Sequence, residues 1–168
     1  MIELIKYSPI YEKETLHRIC DFFGFHRNLF NENICITEES LNNAKKTIND
    51  WISENHTFYI IIYNYISVGF IHIGFRGENV AWIEDVYVDK EYRGQGIASE
   101  AIKGAENIIK QNKSYNAVCM DVSPRNLDAL KLYYRLGYVN LSIITVHKEL
   151  YENKQEKKTN LLGFEFNI

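Results

Sequence analysis

The residues with the clearest chemical potential lie in a short stretch where a predicted strand runs through a turn into a predicted helix. Arg93 is followed there by two glycines, Gly94 and Gly96. Glycines let the backbone curl so that successive N–H groups face one concavity, and the first N–H groups of a helix have no partner inside it. The helix dipole and the arginine add positive charge. The stretch therefore predicts a binding site for an anion such as a diphosphate.

A glycine-containing turn of this kind is weak evidence by itself, because many turns between a strand and a helix bind nothing. The glycines at Gly94 and Gly96 do not form the dinucleotide fingerprint, and no Gly-Lys-Ser/Thr follows them as in a P-loop. Ala98 is small enough to let the helix approach a ligand. Whether the turn is a site depends on the elements around it.

Those elements follow from the periods of the apolar residues. Strands are predicted at Ile2–Tyr7, His56–Tyr63, Ile66–Phe75, Val80–Val88, Tyr115–Val122, Tyr138–Leu150 and Leu161–Ile168, and helices at Tyr11–Phe23, after an N-cap at Thr37, from Gly96 and at Asn126–Leu136. A crossover helix between the fourth and fifth strands makes that pair parallel. We therefore expect an α+β protein with a mostly antiparallel, seven-stranded mixed sheet, one central parallel pair and helices on both faces. With no repeat or linker, residues 1–168 are expected to form a single domain.

Composition narrows the possible partners. The formal net charge is −3 with both signs mixed along the chain, which argues against nucleic acid as a partner. The Met1–Lys6 start has no apolar core of a signal peptide, and no apolar run is long enough to span a membrane. Three dispersed cysteines and five histidines show no ligand spacing, so no metal is expected and no histidine is assigned a role. We expect a cytoplasmic protein.

The turn resembles a known family. Its six residues match the Arg/Gln-x-x-Gly-x-Gly/Ala signature of the GNAT superfamily of N-acetyltransferases: Arg93, Gly94, Gln95, Gly96, Ile97 and Ala98. Ile83–Asp89 is similar to that family's central strand. A second family pattern, a helix followed by a turn, is matched by Asn126, Ala129, Tyr133, Gly137 and Tyr138. The resemblance covers about Ile2 to Leu150. It implies transfer of the acetyl group of acetyl-CoA to an amine, with the coenzyme's diphosphate in the turn.

Such a reaction needs a proton acceptor, because an alkyl amine with a pKa of about 10.4 is mostly protonated at pH 7. Glu84 and Asp85 interrupt an otherwise apolar strand close to the turn. Strand alternation sends their side chains to opposite faces, so that one reaches the amine and the other serves structure. A β-bulge, which the family often has here, would change that alternation. The alternative for each is a hydrogen-bonded structural carboxylate.

The resemblance also implies roles for the remaining site residues. Backbone groups of Val86, Tyr87 and Val88 would contact the pantetheine arm and the thioester oxygen. Tyr133 would protonate the departing sulfur, although an aromatic core residue is the alternative. Asn126 would hydrogen-bond the pantetheine amides, cap its helix, or do both.

The acceptor is not identified by the resemblance, because function depends on sites that differ within one fold. The aromatic residues Phe22, Phe23, Phe25, His26 and Phe30 line a pocket for the amine or are simply core. We expect a small molecule: an amino sugar, an aminoglycoside-type antibiotic or a polyamine. The alternatives are a protein N-terminus or lysine, and a non-catalytic CoA-binding module. The apolar segment Leu161–Ile168 is a candidate edge for a homodimer.

Overall fold

The computed structural model describes residues 1–28, 36–146, 148, 150 and 157–168. The chain divides into two compact units, Met1–Asp121 and Val122–Ile168. The first unit contains β1 (Ile2–Lys6), α1 (Glu12–Asn28), α2 (Glu38–Trp51), β2 (His56–Tyr63), β3 (Ile66–Gly74), β4 (Val80–Val88), α3 (Ile97–Lys110) and β5 (Ala117–Cys119). The second contains α4 (Leu127–Arg135), β6 (Lys158–Leu161) and β7 (Phe164–Asn167).

The sheet of the first unit has the order β1-β2-β3-β4-β5. Every neighbouring pair is antiparallel except β4 with β5, which confirms the predicted mixed sheet with one parallel pair. The parallel pairing joins Val80 to Ala117 and ends where Trp82 meets Cys119. Among the described residues, the second half of β4 therefore has a partner strand on its β3 side alone.

Within the described residues the sheet has five strands, so the predicted count of seven is wrong for this part of the chain. The described residues between 138 and 150 contain no strand, and β6 and β7 pair with each other and with no other strand of the described ranges. The expected last strand, Leu161–Ile168, is interrupted near its start, because Leu162 and Gly163 both take positive φ angles, 52° and 86°, and its remainder, β7, pairs with β6. Two such residues make the tight turn of a hairpin. Alternation shows that a segment suits a pleated surface, and the available partner decides whether it pairs.

Helices cover both faces of the five-stranded sheet. On one face α1 and α2 bury Ile19, Phe22, Ile48 and Trp51 against side chains of the strands, chiefly Phe58, Ile60 and Phe70. The alternate strand residues Ile61, Ile71 and Ile73 are also buried and point to the opposite side. There α3 contacts β1, β3 and β4, and its apolar stripe is buried. The turn after β4 is thus supported by core on both sides.

A buried arginine ties α1 to the end of β4. Arg18 donates from Nε and Nη2 to the carboxylate of Asp89, at 2.8–3.0 Å, and from Nη1 and Nη2 to the hydroxyl and carbonyl of Ser67. Its side chain is 9% exposed. Asp89 is the residue directly before the turn toward Gly94, so this ion pair fixes where the turn begins.

We expect Asp89→Asn to lower the free energy of unfolding by about 2–4 kcal/mol, because it leaves the Arg18 charge buried without its counter-ion. Urea unfolding followed by circular dichroism measures the change. Glu14→Gln is the matched control, since Glu14 also contacts Arg18, at 3.4 Å, but is 58% exposed. We expect a loss below about 0.5 kcal/mol there. Equal losses in the two variants would contradict a special role for the Arg18–Asp89 pair.

Candidate active site

The turn after β4 has the backbone that an anion site requires. Gly94 and Gly96 lie in the left-handed region with φ angles of 76° and 79°. This conformation costs other L-residues about 1–2 kcal/mol. A Cβ atom at either glycine would meet nothing within 4 Å, so the space beside the turn is open. The backbone conformation therefore explains why both positions are glycine, and the concavity beside them is accessible.

The first turn of α3 opens into this concavity. Gly96 is the N-cap and supplies no side chain to cap the helix, and the first helical hydrogen bond runs from the Glu100 N–H to the Gly96 carbonyl at 3.1 Å. The N–H groups of Ile97, Ala98 and Ser99 therefore have no partner inside the helix. The side chain of Ile97 is buried and anchors the helix start, so its contribution to a ligand is the main-chain amide.

Arg93 lies beside this helix start, where it braces the turn. Its Nε donates to the Val88 carbonyl at 2.9 Å. The guanidinium lies 5.4 Å from the ring of Tyr87 and 5.6 Å from the ring of Phe25, within range of cation–π attraction. The positive charge is thus held at the mouth of the turn by contacts with β4 and α1. Gln95 also closes the turn locally, with Nε2 3.4 Å from the Glu91 carbonyl.

The second half of β4 leads into this turn with one edge uncovered. Val86, Tyr87 and Val88 pair with Ile71, Phe70 and Gly69 of β3. On the other side the parallel pairing with β5 has already ended at Trp82. Main-chain groups on that edge have no strand partner in the part of the chain that the structure describes. They are available to an extended ligand that would run along the strand.

A β-bulge in β4 decides where the two carboxylates point. Across β3, His72 faces Asp85 and Ile73 faces Ile83, so Glu84 is an extra residue without a partner. A bulge disturbs the two-residue alternation. Glu84 lies against Gly74, where a Cβ atom would collide with its Oε1.

The carboxylates consequently share one face of the sheet. Asp85 accepts a hydrogen bond from Nδ1 of His72 at 2.9 Å, while Glu84 covers Gly74. His72 and Gly74 are two residues apart in a strand and face the same side. The expectation that alternation sends Glu84 and Asp85 to opposite faces is wrong, and the bulge that was left open as an alternative is the reason.

Although they share a face, the two carboxylates belong to different networks. Glu84 pairs with Arg76, Oε2 to Nη2 at 2.8 Å, and the Arg76 guanidinium lies 3.9 Å above the Trp82 ring. Arg76 also contacts Asp121 at 3.4 Å. Glu84 is thus neutralised by an exposed cation, whereas Asp85 is joined to a buried imidazole.

Beyond that imidazole lies a second histidine, which sequence reasoning missed. Nε2 of His72 lies 2.9 Å from Nδ1 of His56, and the two rings stack 5.0 Å apart at 27°. His56 pairs with Gly74 across the β2–β3 hairpin, which puts it on the same face as His72. The spacing of the histidines in sequence carries no ligand pattern. The available signal was the register of the hairpin, which places them diagonally across two strands.

Burial and nearby charges shift the pKa values of two histidines, His56 and His26. Burial lowers the pKa of His56 from its ordinary value, and the neighbouring His72 lowers it further. Burial also lowers the pKa of His26 on α1, partly offset by the negative charge of Asp85. Both imidazoles are therefore neutral at pH 7 and able to accept a proton.

The second unit contains the residues of the other family pattern, and some of them begin and end the helix α4. Asn126 caps α4, its Oδ1 accepting from the Ala129 N–H at 3.3 Å, which confirms the predicted N-cap role. At the other end Gly137 has φ 97° and donates to the Tyr134 carbonyl, and Tyr138 donates to the Tyr133 carbonyl. These two bonds form a Schellman motif, which brings the Tyr133 and Tyr138 rings to 6.1 Å.

The aromatic residues of α1 divide between core and surface. Phe22 is buried and contacts the ring of His26 at 4.5 Å. Phe23 and Phe25 are partly exposed on the same helix, and Phe30 lies outside the described residues.

Within the described ranges, no three His, Cys, Asp or Glu side chains are arranged to hold a metal ion. No helix in those ranges is long and apolar enough to cross a membrane.

Comparison with known proteins agrees with this geometry. Residues 24–138, more than half of the chain, match the model of the acetyltransferase (GNAT) family. The chain is 36% identical over 73 residues to thialysine N-epsilon-acetyltransferase of Bos taurus, a match covering 44% of this chain and 42% of that protein. The match thus spans less than half the length of this curated relative.

Solved structures show the same fold at low identity. An acetyltransferase of the GNAT family from Staphylococcus aureus Mu50 superposes with a TM-score of 0.63 at 20% identity, covering 82% of this chain and 84% of that one. The structure of AAC(6')-Iy with the bisubstrate analogue CoA-S-monomethyl-acetylneamine gives a TM-score of 0.66 at 14% identity, covering 89% and 98%. With two sequence patterns, a mixed sheet carrying one parallel pair and a family model over most of these elements, the chain belongs to the acetyltransferase (GNAT) family.

Proposed function

We propose that the protein is an N-acetyltransferase that transfers the acetyl group of acetyl-CoA to a primary amine in a ternary complex. The observation that carries this proposal is the uncapped start of α3 behind Gly94 and Gly96, at the end of a strand with one uncovered edge. A diphosphate suits the first feature and an extended pantetheine arm suits the second. A single acetyltransferase domain over residues 1–168 and a cytoplasmic location belong to the same proposal.

In this proposal the coenzyme is held mainly by main-chain groups. The amides of residues 94–98 would bind the diphosphate with Arg93 at their edge, and Val86, Tyr87 and Val88 would contact the pantetheine and the thioester oxygen. By the family resemblance, Asn126 is proposed to contact the pantetheine as well. Its Oδ1 caps α4, which leaves the Nδ2 donors for a pantetheine carbonyl.

The chemistry is direct attack. The neutral amine nitrogen bonds to the acetyl carbon, the carbon–sulfur bond breaks, and the CoA thiolate takes a proton, for which Tyr133 is the proposed donor. The proton that the ammonium form must lose goes to the polar face of the β4 bulge, where Glu84 and Asp85 lie. Either carboxylate can take part: Glu84 is paired with Arg76, and Asp85 is hydrogen-bonded to His72.

For the acceptor we propose a small cationic amine of the amino-sugar, aminoglycoside or polyamine kind. The Asp85 carboxylate on the polar face of the sheet favours a cation, and partly exposed Phe23 and Phe25 on α1 offer apolar surface. The acetylneamine part of the analogue bound to AAC(6')-Iy and the name of thialysine N-epsilon-acetyltransferase support an acceptor that is a small amine. A protein N-terminus or lysine is the second candidate. A homodimer formed through Leu161–Ile168 stays a prediction.

Titration calorimetry with acetyl-CoA tests the cofactor, and thiol release with a panel of amines tests the reaction. We expect saturable binding, then thiol release with small amines and not with peptides. Release with peptides alone would shift the assignment to a protein acetyltransferase. Binding without turnover on any amine would favour a CoA-binding module, and no binding by folded protein would remove the proposal.

A further inference from the structure

We propose that Asp85, His72 and His56 form one proton relay, in which Nε2 of His56 takes the acceptor's proton through a water and Asp85 acts on it through His72. The proposal rests on the proposed function for the reaction that it serves. Its geometry stands independently: two hydrogen-bond distances of 2.9 Å join three side chains from three adjacent strands.

The direction of the relay follows from which atoms can donate. An ionised carboxylate only accepts, so the hydrogen between Asp85 and His72 belongs to Nδ1 of His72. The proposed relay has His72 as the neutral imidazole, whose Nε2 atom is then an acceptor to which Nδ1 of His56 donates. The remaining nitrogen, Nε2 of His56, is left with a lone pair. Asp85 thereby fixes the tautomers of both imidazoles.

Burial separates the roles of the three groups. The His72 side chain is 3% exposed and stacks on Trp51 at 4.7 Å, whereas Asp85 is 20% exposed and His56 is partly exposed. A buried imidazole whose two nitrogens are both engaged cannot meet substrate, so His72 is a positioning residue. His56 is the member with a nitrogen to spare, since no hydrogen bond to its Nε2 is formed by the described side chains.

Charged and titratable groups on several neighbouring elements shift the pKa of His56. Glu84 of β4 and Asp50 of α2 favour its protonated form, while Arg76 and His72 oppose it together with burial, and burial dominates. The result is an imidazole that is neutral at pH 7 but has two carboxylates close enough to steady a transient positive charge. This combination suits a proton acceptor.

The step balances without any further reactant. The N–H bond of the acceptor's ammonium breaks, a water carries the proton, and an N–H bond forms at Nε2 of His56. The freed lone pair attacks the acetyl carbon and the carbon–sulfur bond breaks. The second proton that the nitrogen then loses replaces the one that Tyr133 gives to the departing CoA thiolate. The imidazolium is stabilised by Asp85 through His72, and His56, at the partly exposed end, then returns the proton to solvent.

Imidazole tautomers, read from long-range ¹H–¹⁵N spectra of the unliganded protein, test the relay without any assay of activity. We expect both His56 and His72 in the Nδ1–H form at pH 7.5. In Asp85→Ala the acceptor is gone, so both rings should change to the Nε2–H form. Glu84→Ala, which removes the other carboxylate of the same bulge, should leave both tautomers unchanged. A wild-type His56 in the Nε2–H form, or a charged His72, would overturn the relay.

Kinetics then tests what the relay does. In the wild type, kcat/KM should fall as the pH drops through the pKa of His56, because the protonated imidazole cannot accept. His56→Gln should lower kcat about 100-fold and remove that inflection, with unchanged acetyl-CoA affinity. An unaltered pH profile in an active His56→Gln would overturn the relay and leave the proposed function standing. Absence of any acetyl transfer by the wild type would instead defeat the proposed function, and the tautomers would still report on the relay.

Discussion

Gly96→Asp is expected to bind acetyl-CoA at least about 100-fold more weakly than the wild type, a loss of about 2.7 kcal/mol. The substitution places a carboxylate at the uncapped start of α3, in the open space where the coenzyme's diphosphate is proposed to lie. An aspartate there would also accept hydrogen bonds from the first-turn amides and so occupy the donors that the phosphates need. Titration calorimetry measures the affinity directly.

Gly96→Ala separates charge from backbone strain. Both variants force a side chain into a φ of 79°, and both should lose about 1–2 kcal/mol of unfolding free energy. Only the aspartate adds a negative charge, so we expect the alanine variant to keep affinity within about tenfold. Equal losses of affinity in the two variants would mean that the shape of the turn, and not an anion site, accounts for the effect.

Tyr133→Phe is expected to lower kcat by about 100-fold with acetyl-CoA affinity within a factor of about three. A positioned general acid contributes about 10²–10⁴ to rate, and the variant removes only the hydroxyl. The ring itself should remain in place, because the Schellman motif at Gly137 and the 6.1 Å contact with Tyr138 do not involve that hydroxyl. Steady-state kinetics and calorimetry together distinguish lost turnover from lost binding.

Tyr134→Phe is the matched control. It removes the phenol hydroxyl of the next residue, which is 69% exposed and points about 100° away around α4. We expect kinetics indistinguishable from the wild type. If Tyr133→Phe also left kcat unchanged, the phenol would be a structural residue and the thiolate would leave unassisted. A loss of coenzyme affinity comparable with that of Gly96→Asp would contradict the separate roles proposed for the two residues.

Local sequence determined much of this protein. Several features agree with expectation: the bounds of β2 and β4, the Thr37 cap of α2, the parallel pair around a crossover helix, and a backbone that curls at the two glycines of the turn. These features depend on neighbours a few residues apart, through caps, dihedral limits and periodicity. The turn proposed to bind an anion belongs to this class, since one strand end, two glycines and one helix start suffice to build it.

The polar face of the site was decided only by the tertiary structure. The bulge at Glu84 changes the direction of a carboxylate through the register of β3 against β4, and that register depends on long-range packing. His56 and His72 meet because a hairpin aligns them, and Asp85 reaches them from a third strand. Sequence periodicity reports which face a residue prefers. Which side chains become neighbours on that face is fixed by strand pairing, because contacts between strands join residues far apart in the chain.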